Sequence, residues 1–343
     1  MKTDTVKGFQ DFTGEEALKR TEIKQLIGDT FLSYGFEPAE TPIVEYEEFV
    51  KGENENDEAV SDIFKLRDKG GRELALRYEF TFQLKRIAKN KKLPYKRYSI
   101  GPVFRDEPVS SNRFRQFTQC DADVVGSDVK SEAEVLATIN SIGEKLGIKS
   151  EIFIGSRKII EGVARTIFGL EDKKQIEGLI AYLDELDKKT PAEVIKKITG
   201  DEKKSKFLKK MQLTQIKKIF APLLNTLRDE KLDELKSYYL GVLKNRGKEK
   251  EYDNSLFKQG YDELNELIKY VGKNYGIKLR FRGYLARGLS YYNGIVFEIK
   301  TKDKKESIAA GGSYMVNSIQ STGISFGLER ISMLAKIKTK ENK

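Results

Sequence analysis

The stretch Tyr95–Gly126, YKRYSIGPVFRDEPVSSNRFRQFTQCDADVVG, decides how the rest of the chain is read. Two alternating runs, Tyr95–Phe104 and Phe114–Val125, flank a polar segment with Pro108 and Ser110-Ser111-Asn112, the pattern of a long-looped antiparallel hairpin. Strand side chains alternate, so Arg115, Phe117, Gln119, Asp121 and Asp123 share one face, and Gln119 and Asp123 can point into one pocket. Arg105 stands where the first run meets the loop. A carboxylate, an amide and a guanidinium thus share a platform, although the spacing alone fits an edge hairpin with a solvated charged face equally well. Cys120 falls on the alternate face, where packing is its expected role.

The chain around this hairpin has 343 residues, 38% hydrophobic and 34% charged, enough for two domains and a large core. No apolar run approaches the ~18 residues that span a bilayer, and the N-terminal MKTDTVKGFQDFTGEE lacks the apolar core of a signal peptide, so no membrane association and a cytoplasmic location are expected. One cysteine cannot form an internal disulfide or build a zinc cluster. The net charge of +10, from 63 basic and 53 acidic residues, favours a polyanionic partner. Histidine is absent. The usual general base near neutral pH is therefore missing, and chemistry must run on Arg, Asp, Glu, Tyr and a borrowed cation.

Upstream, helical spacing predicts a helix over Thr13–Tyr34, with Thr13 and Glu16 as a capping box and Gly35 as its end. Phe36–Val44 reads as a strand whose Pro42 belongs at an edge or interface. Phe64–Arg67 and Glu73–Arg77 read as short strands about the turn Lys69–Arg72. In LRYEFTFQLKRIAKN, Arg77, Glu79 and Thr81 share a strand face before a helix from about Phe82. A carboxylate beside a hydroxyl suits an ammonium ligand, and the same face also fits plain solvent exposure. Downstream come a helix over Ser131–Leu146, a strand over Glu151–Ile154 and a Lys- and Leu-rich helical tract from Arg157 to Tyr275. Breaks in that tract are expected near Gly169, Pro191, Gly200, Pro222 and Gly260. Its basic runs Lys203-Lys204 and Lys209-Lys210 agree with phosphate contact, and equally with an ordinary solvated helix. The last segment is a glycine-rich strand, a second strand and a helix carrying Arg330.

Taken together, RYxIGxVFRxEP and NRFRQFTQCDADVVG resemble motif 2 of class II aminoacyl-tRNA synthetases in its histidyl-tRNA synthetase form. The helix and strand over Thr13–Val44 resemble the family's motif 1, an interface element, and imply a homodimer. LRYEFT is similar to its LRYDLT block, Arg287–Glu298 (RGLSYYNGIVFE) to its RGLDYYxGxxFE signature, and Gly323–Met333 (GISFGLERISM) to motif 3. The resemblance implies an α+β fold, a class II synthetase core of antiparallel sheet flanked by helices, with a helical insertion domain: residues 1–150 and 279–343 as core, 151–278 as insertion. It also implies a function: activation of histidine with ATP and Mg²⁺, then transfer to tRNA-His. Arg105 and Arg287 are the implied catalytic groups, on the histidine carboxylate and the α-phosphate. Arg113 and Arg330, with Glu107, belong to ATP. Glu79, Thr81 and Gln119 are implied for the α-ammonium and Asp123 and Tyr292 for the imidazole; Tyr291 lines the pocket, and Phe80 belongs to the same histidine-binding set.

Three departures stand out. Ser290 replaces the signature's Asp, GGSYM (Gly311–Met315) replaces GGRYD with a shortened link to Gly323, and the chain stops at Lys343, where the family continues into an anticodon-binding α/β domain. The alternative is a non-catalytic, histidine-sensing paralogue such as the regulatory subunit of ATP phosphoribosyltransferase. Retention of all four phosphate-directed arginines favours the enzyme.

Overall fold

The computed structural model describes residues 3–51, 62–110, 113–200, 213–285, 291–301 and 307–337. Its Cα packing divides the chain into two units, Met1–Glu151 with Ile299–Lys343, and Ile152–Glu298. The first carries the hairpin. Strands β1 (Glu37–Pro38), β5 (Tyr95–Phe104), β6 (Gln116–Val125), β11 (Ile319–Gly327) and β10 (Ser307–Val316) lie side by side in the order β1-β5-β6-β11-β10. The β5–β6, β6–β11 and β10–β11 pairs are antiparallel, and β1 joins β5 in parallel. The expected α+β core, an antiparallel-dominated sheet flanked by helices, is the one observed.

Alternation splits this sheet into two chemically different faces. Cys120, Ala122 and Val124 are fully buried on one face, level with Tyr98 on β5 and Phe326 on β11. Against them packs α1 (Gly14–Ser33), whose Phe31 ring lies 5.2 Å from Tyr98 and 6.2 Å from Phe326. Ile23 and Ile27 extend the same buried stripe, and α4 (Val129–Lys145), capped by Asp128 and Ser131, contributes Leu136, Ile139 and Ile142 to the core. Burial of these apolar side chains, at about 25 cal/mol per Å², drives the assembly of sheet and helices. The opposite face carries Gln119, Asp121 and Asp123.

Several local expectations differ from what is observed. The Thr13 hydroxyl makes no capping bond: Gly14 takes φ +57°, and this left-handed turn directly after Thr13 re-aims the helix entry. Phe36–Val44 is not one strand. It divides into β1 and β2 (Val44–Tyr46), which runs on into the short helix α2 (Glu47–Lys51), and β2 belongs to a separate sheet in the order β2-β4-β3 with β4 (Glu73–Leu76) and β3 (Lys65–Arg67). Pro42, having no N–H for a ladder, lies between the two. Nor do Arg77, Glu79 and Thr81 form a strand face, because β4 ends at Leu76 and Thr81 opens the helix α3 (Thr81–Ile87). Arg77 itself clamps the crossing, donating to the carbonyls of Pro102 and Thr41 at 2.7 and 2.8 Å.

The second unit is built on β7 (Ser150–Ser156), paired in parallel with β8 (Leu279–Phe281), and neighboured by β9 (Tyr292–Thr301), whose residues 292–298 belong to this unit. Residues 279–298 thus cluster with the helical tract, since β8 hydrogen-bonds to the strand that leads into it. The helices are α5 (Arg157–Phe168), α6 (Lys173–Asp184), α7 (Pro191–Gly200), α8 (Leu213–Arg228), α9 (Leu232–Asn245) and α10 (Leu256–Tyr275). Gly169 ends α5 in a left-handed cap at φ +66°, and Pro191 opens α7 as its first residue. Two expected breaks are absent. Pro222 lies inside α8, and Gly260 lies inside α10, where a Cβ would stand 2.6 Å from Ser156 Oγ. Gly162 on α5 is equally tight, 2.5 Å from the Phe257 nitrogen, so both glycines serve the close approach of α5 and α10. Lys203-Lys204 and Lys209-Lys210 lie outside the described residues.

Candidate active site

Strand register sets out the polar face of the first unit. Asp123 on β6 stands opposite Arg97 on β5 and Gly323 on β11, and Gly323 in turn opposes Gly312 on β10. Asp121 stands between Ser99 and Ser325, and Gln119 between Gly101 and Gly327. The glycines leave room for the long side chains. A Cβ on Gly323 would lie 2.0 Å from Asp123 Oδ1, which excludes any other residue while Asp123 keeps its place.

Arg97, only 1% exposed, brings Nη2 to 2.8 Å from Asp123 Oδ2 and donates from the same nitrogen to the Phe80 carbonyl at 2.9 Å. Its Nε and Nη1 have no hydrogen-bond partner among the described residues. On the other side of the carboxylate, the Tyr314 hydroxyl donates to Asp123 Oδ1. Gln119 Nε2 donates to Asp121 Oδ2 at 2.9 Å, while Gln119 Oε1 accepts from Arg105 Nη2 at 3.3 Å. Burial raises the pKa of both Asp121 and Asp123; the charge of Asp123 adds to the rise at Asp121, and Arg97 pulls against it at both. Removing carboxylates from water disfavours the charged form, and one guanidinium does not neutralise two.

Glu79 closes the cluster. It is buried, its carboxylate is bonded by the Thr81 side chain, and its Oε1 has no hydrogen-bond partner among the described residues. Burial pushes its pKa up to about 7; Arg105 opposes that rise, and the fields of Asp121 and Asp123 add to it. Phe80 is buried beside it, its ring under the Arg77 guanidinium at 4.5 Å.

Arg105 lies just past β5, with its guanidinium 4.3 Å from the Tyr78 ring centre and 5.1 Å from that of Phe117. Two aromatic faces and the Gln119 carbonyl fix the plane of the fork. Glu107 stands between two arginines, 3.9 Å from Arg105 and 3.3 Å from Arg113. Arg113 is 61% exposed along its side chain, a cation at the open end of the cluster. Arg330, on α11 (Leu328–Leu334), donates to the Ser307 carbonyl at 2.8 Å. Arg287 and Ser290 lie outside the described residues. Tyr291 and Tyr292 belong to the second unit, at the start of β9, with ring centres 4.8 Å apart.

The first unit thus gathers Glu79, Thr81, Arg105, Gln119 and Asp123 around one polar face, with Glu107 and Arg113 beyond Arg105. Sequence reasoning passed over three members of this cluster. Tyr78 and Tyr314 look like ordinary core aromatics, and Arg97 becomes a partner of Asp123 only once the β5–β6 register is set. The available signal was a charged residue in the inward phase of β5. The two replacements in GGSYM are also accounted for: Ser313 donates a buried hydrogen bond to Glu132, and Met315 is exposed.

A family model described as histidyl-tRNA synthetase matches residues 8–331. The chain is 32% identical to histidine–tRNA ligase 1 of Bacillus cereus over 96% of its own length and 76% of that protein's. With the histidine–tRNA ligase of Helicobacter hepaticus it shares 31% identity over 95% and 74%. The crystal structure of histidyl-tRNA synthetase from Nostoc sp. superposes with a TM-score of 0.77 at 28% identity, over 96% of this chain and 74% of that one. The chain belongs to the histidyl-tRNA synthetase family.

Proposed function

We propose that this chain is a histidine–tRNA ligase that joins histidine to ATP through its carboxylate and passes the acyl group to tRNA-His. The observation that carries the reading is the buried Glu79, whose Oε1 meets no donor among the described residues, in the same polar cluster as the fixed, permanently charged Arg105. One takes the ammonium of an amino acid and the other its carboxylate, and a zwitterion needs both. In the first step a histidine carboxylate oxygen forms a bond to the α-phosphorus, and the bond to the bridging oxygen of pyrophosphate breaks. No protein nucleophile takes part. Arg105 holds the two anions together and stabilises the charge gathering on the phosphate, and Arg287 is assigned the same task. Glu107 keeps Arg105 and Arg113 poised, and the outer phosphates are assigned to Arg113 and Arg330. Magnesium enters as the complex with ATP and supplies further phosphate neutralisation. In the second step the terminal ribose hydroxyl of the tRNA attacks the acyl carbon and AMP leaves.

Asp123, set by Arg97 and Tyr314, is assigned to the imidazole. An imidazole offers a donor and an acceptor, and a site that pairs both rejects amino acids lacking either. Attachment of labelled histidine to a tRNA-His transcript tests the proposal; a protein that binds histidine yet charges no transcript removes it and favours the histidine-sensing alternative.

The Glu79 assignment predicts a pH effect. A carboxyl group with a pKa raised to about 7 in the fold adds stability in full below its unfolded value of 4.5, and that contribution is lost as pH rises through 7. A bound ammonium favours the ionised form, so binding at neutral pH releases a proton and histidine affinity rises between pH 6 and 8. The ligand's own imidazole titrates in any variant, so calorimetry on wild type and Glu79→Gln isolates the Glu79 contribution. The variant should bind at least about tenfold more weakly, with a flatter profile. Parallel profiles would remove Glu79 from the ammonium site.

A homodimer is proposed as well. Ile43, Val44, Tyr46 and Leu66 are exposed apolar residues on or beside the β2-β4-β3 sheet, within and next to the segment that resembles an interface element. Sedimentation at micromolar concentration should give twice the 39.2 kDa chain mass, and a monomer would contradict the assignment.

A further inference from the structure

We propose that Asp121 is a positioning residue that locks the amide of Gln119 so that its carbonyl, not its NH₂, faces Arg105 and the substrate ammonium. The inference rests on the reading of the site given above and adds to it a residue with no contact of its own to histidine. Gln119 is a two-ended side chain that can accept at one end and donate at the other, and nothing in its own chemistry selects the orientation. Its neighbours do. A carboxylate oxygen of Asp121 accepts the Gln119 Nε2 hydrogen at 2.9 Å, and Arg105 Nη2, which can only donate, meets Oε1 at 3.3 Å. Reversing the amide would set NH₂ against a guanidinium and leave Oε1 facing a carboxylate, two repulsive contacts in a site removed from water.

Asp121 is itself held for this task. It is 2% exposed, two residues along β6 from Gln119 on the same face, and Ser325 on the neighbouring β11 bonds to its side chain. The strand pleat therefore delivers the acceptor at the i+2 spacing that an amide reaching along the strand needs. A buried carboxylate close to Asp123 is costly for stability, and its geometry gives it a use: orienting the one neutral group that both the ammonium and Arg105 depend on.

Asp121→Asn removes the Asp121 part of the lock while keeping size and shape, and leaves Arg105 alone to orient the amide. The introduced amide can donate as well as accept, so it tolerates either orientation of Gln119. The test is calorimetric binding of histidine, and of imidazolepropionate, which lacks the ammonium, to wild type, Asp121→Asn, Gln119→Ala and the double variant. Melting curves establish that each variant is folded, and Asp121→Ser gives the same readout should the asparagine variant fail to fold. Asp121→Asn should weaken histidine binding about tenfold and imidazolepropionate binding less than about twofold, and add nothing in the Gln119→Ala background. Equal losses for both ligands, or losses that multiply in the double variant, would make Asp121 a structural residue and overturn the inference. Wild-type affinity retained in Asp121→Asn would overturn it too. A wild-type protein that binds no histidine would overturn the reading of the site itself, and this inference with it.

Discussion

Arg105→Lys is expected to lower histidine-dependent exchange of pyrophosphate into ATP by about a hundredfold to a thousandfold while leaving the fold intact. Lysine keeps the charge but loses the planar fork. In the native site that fork lies over the Tyr78 ring at 4.3 Å, meets Gln119 Oε1 at 3.3 Å and stands 3.9 Å from Glu107. An ammonium on a flexible stem cannot make planar contacts and span two anions at once. The loss should fall mainly on the maximal rate, because aligning carboxylate and α-phosphate matters most in the transition state. Exchange within a few-fold of wild type would remove Arg105 from the chemistry. The substitution should cost little stability, since the Arg105 side chain is a quarter exposed.

A second large effect is expected at a residue that touches neither substrate in this account. Arg97→Met should destabilise the protein by about 3–5 kcal/mol at neutral pH, because it strands the buried Asp123, and Asp121 beside it, without their guanidinium. The sign of the pH effect follows from linkage. With Arg97 gone, the folded pKa values of the two carboxyls stand still further above their unfolded values, so the folded state binds more protons than the unfolded one. The penalty therefore shrinks as pH falls through the raised folded pKa and is largest at alkaline pH. Urea unfolding of both proteins at pH 5.5 and pH 8 measures it. A loss below about 1 kcal/mol, or one of equal size at the two pH values, would mean that Asp123 is held by Tyr314 and the sheet alone.

The same cluster shows what could be seen in the sequence and what could not. Period-2 spacing in FTQCDADVV placed Gln119 and Asp123 on one face and Cys120 on the other, and the sheet keeps that division because helix α1 buries the apolar side. Arg97 could not be paired with Asp123 from spacing, since 26 residues and a loop separate them and only the β5–β6 register brings them together. Glu79 was legible as a candidate but for an incomplete reason. The run from Arg77 to Thr81 alternates like a strand, yet it is held by Arg77 bonding to the Thr41 and Pro102 carbonyls and turns at Phe80 into α3. Its burial, and with it the raised pKa, comes from tertiary packing that no local pattern encodes. Gly260 was misread for a related reason: a glycine in a helical tract reads as a break until the neighbouring helix that requires it is in place.

The most direct test of the central claim is exchange of labelled pyrophosphate into ATP by the purified chain, with each of the twenty amino acids supplied in turn. Exchange is expected with histidine, with none above background for the other nineteen, and it is lost in Arg105→Lys. Absence of exchange from a folded protein that nevertheless binds histidine would contradict the claim, leaving a chain that recognises the amino acid without activating it.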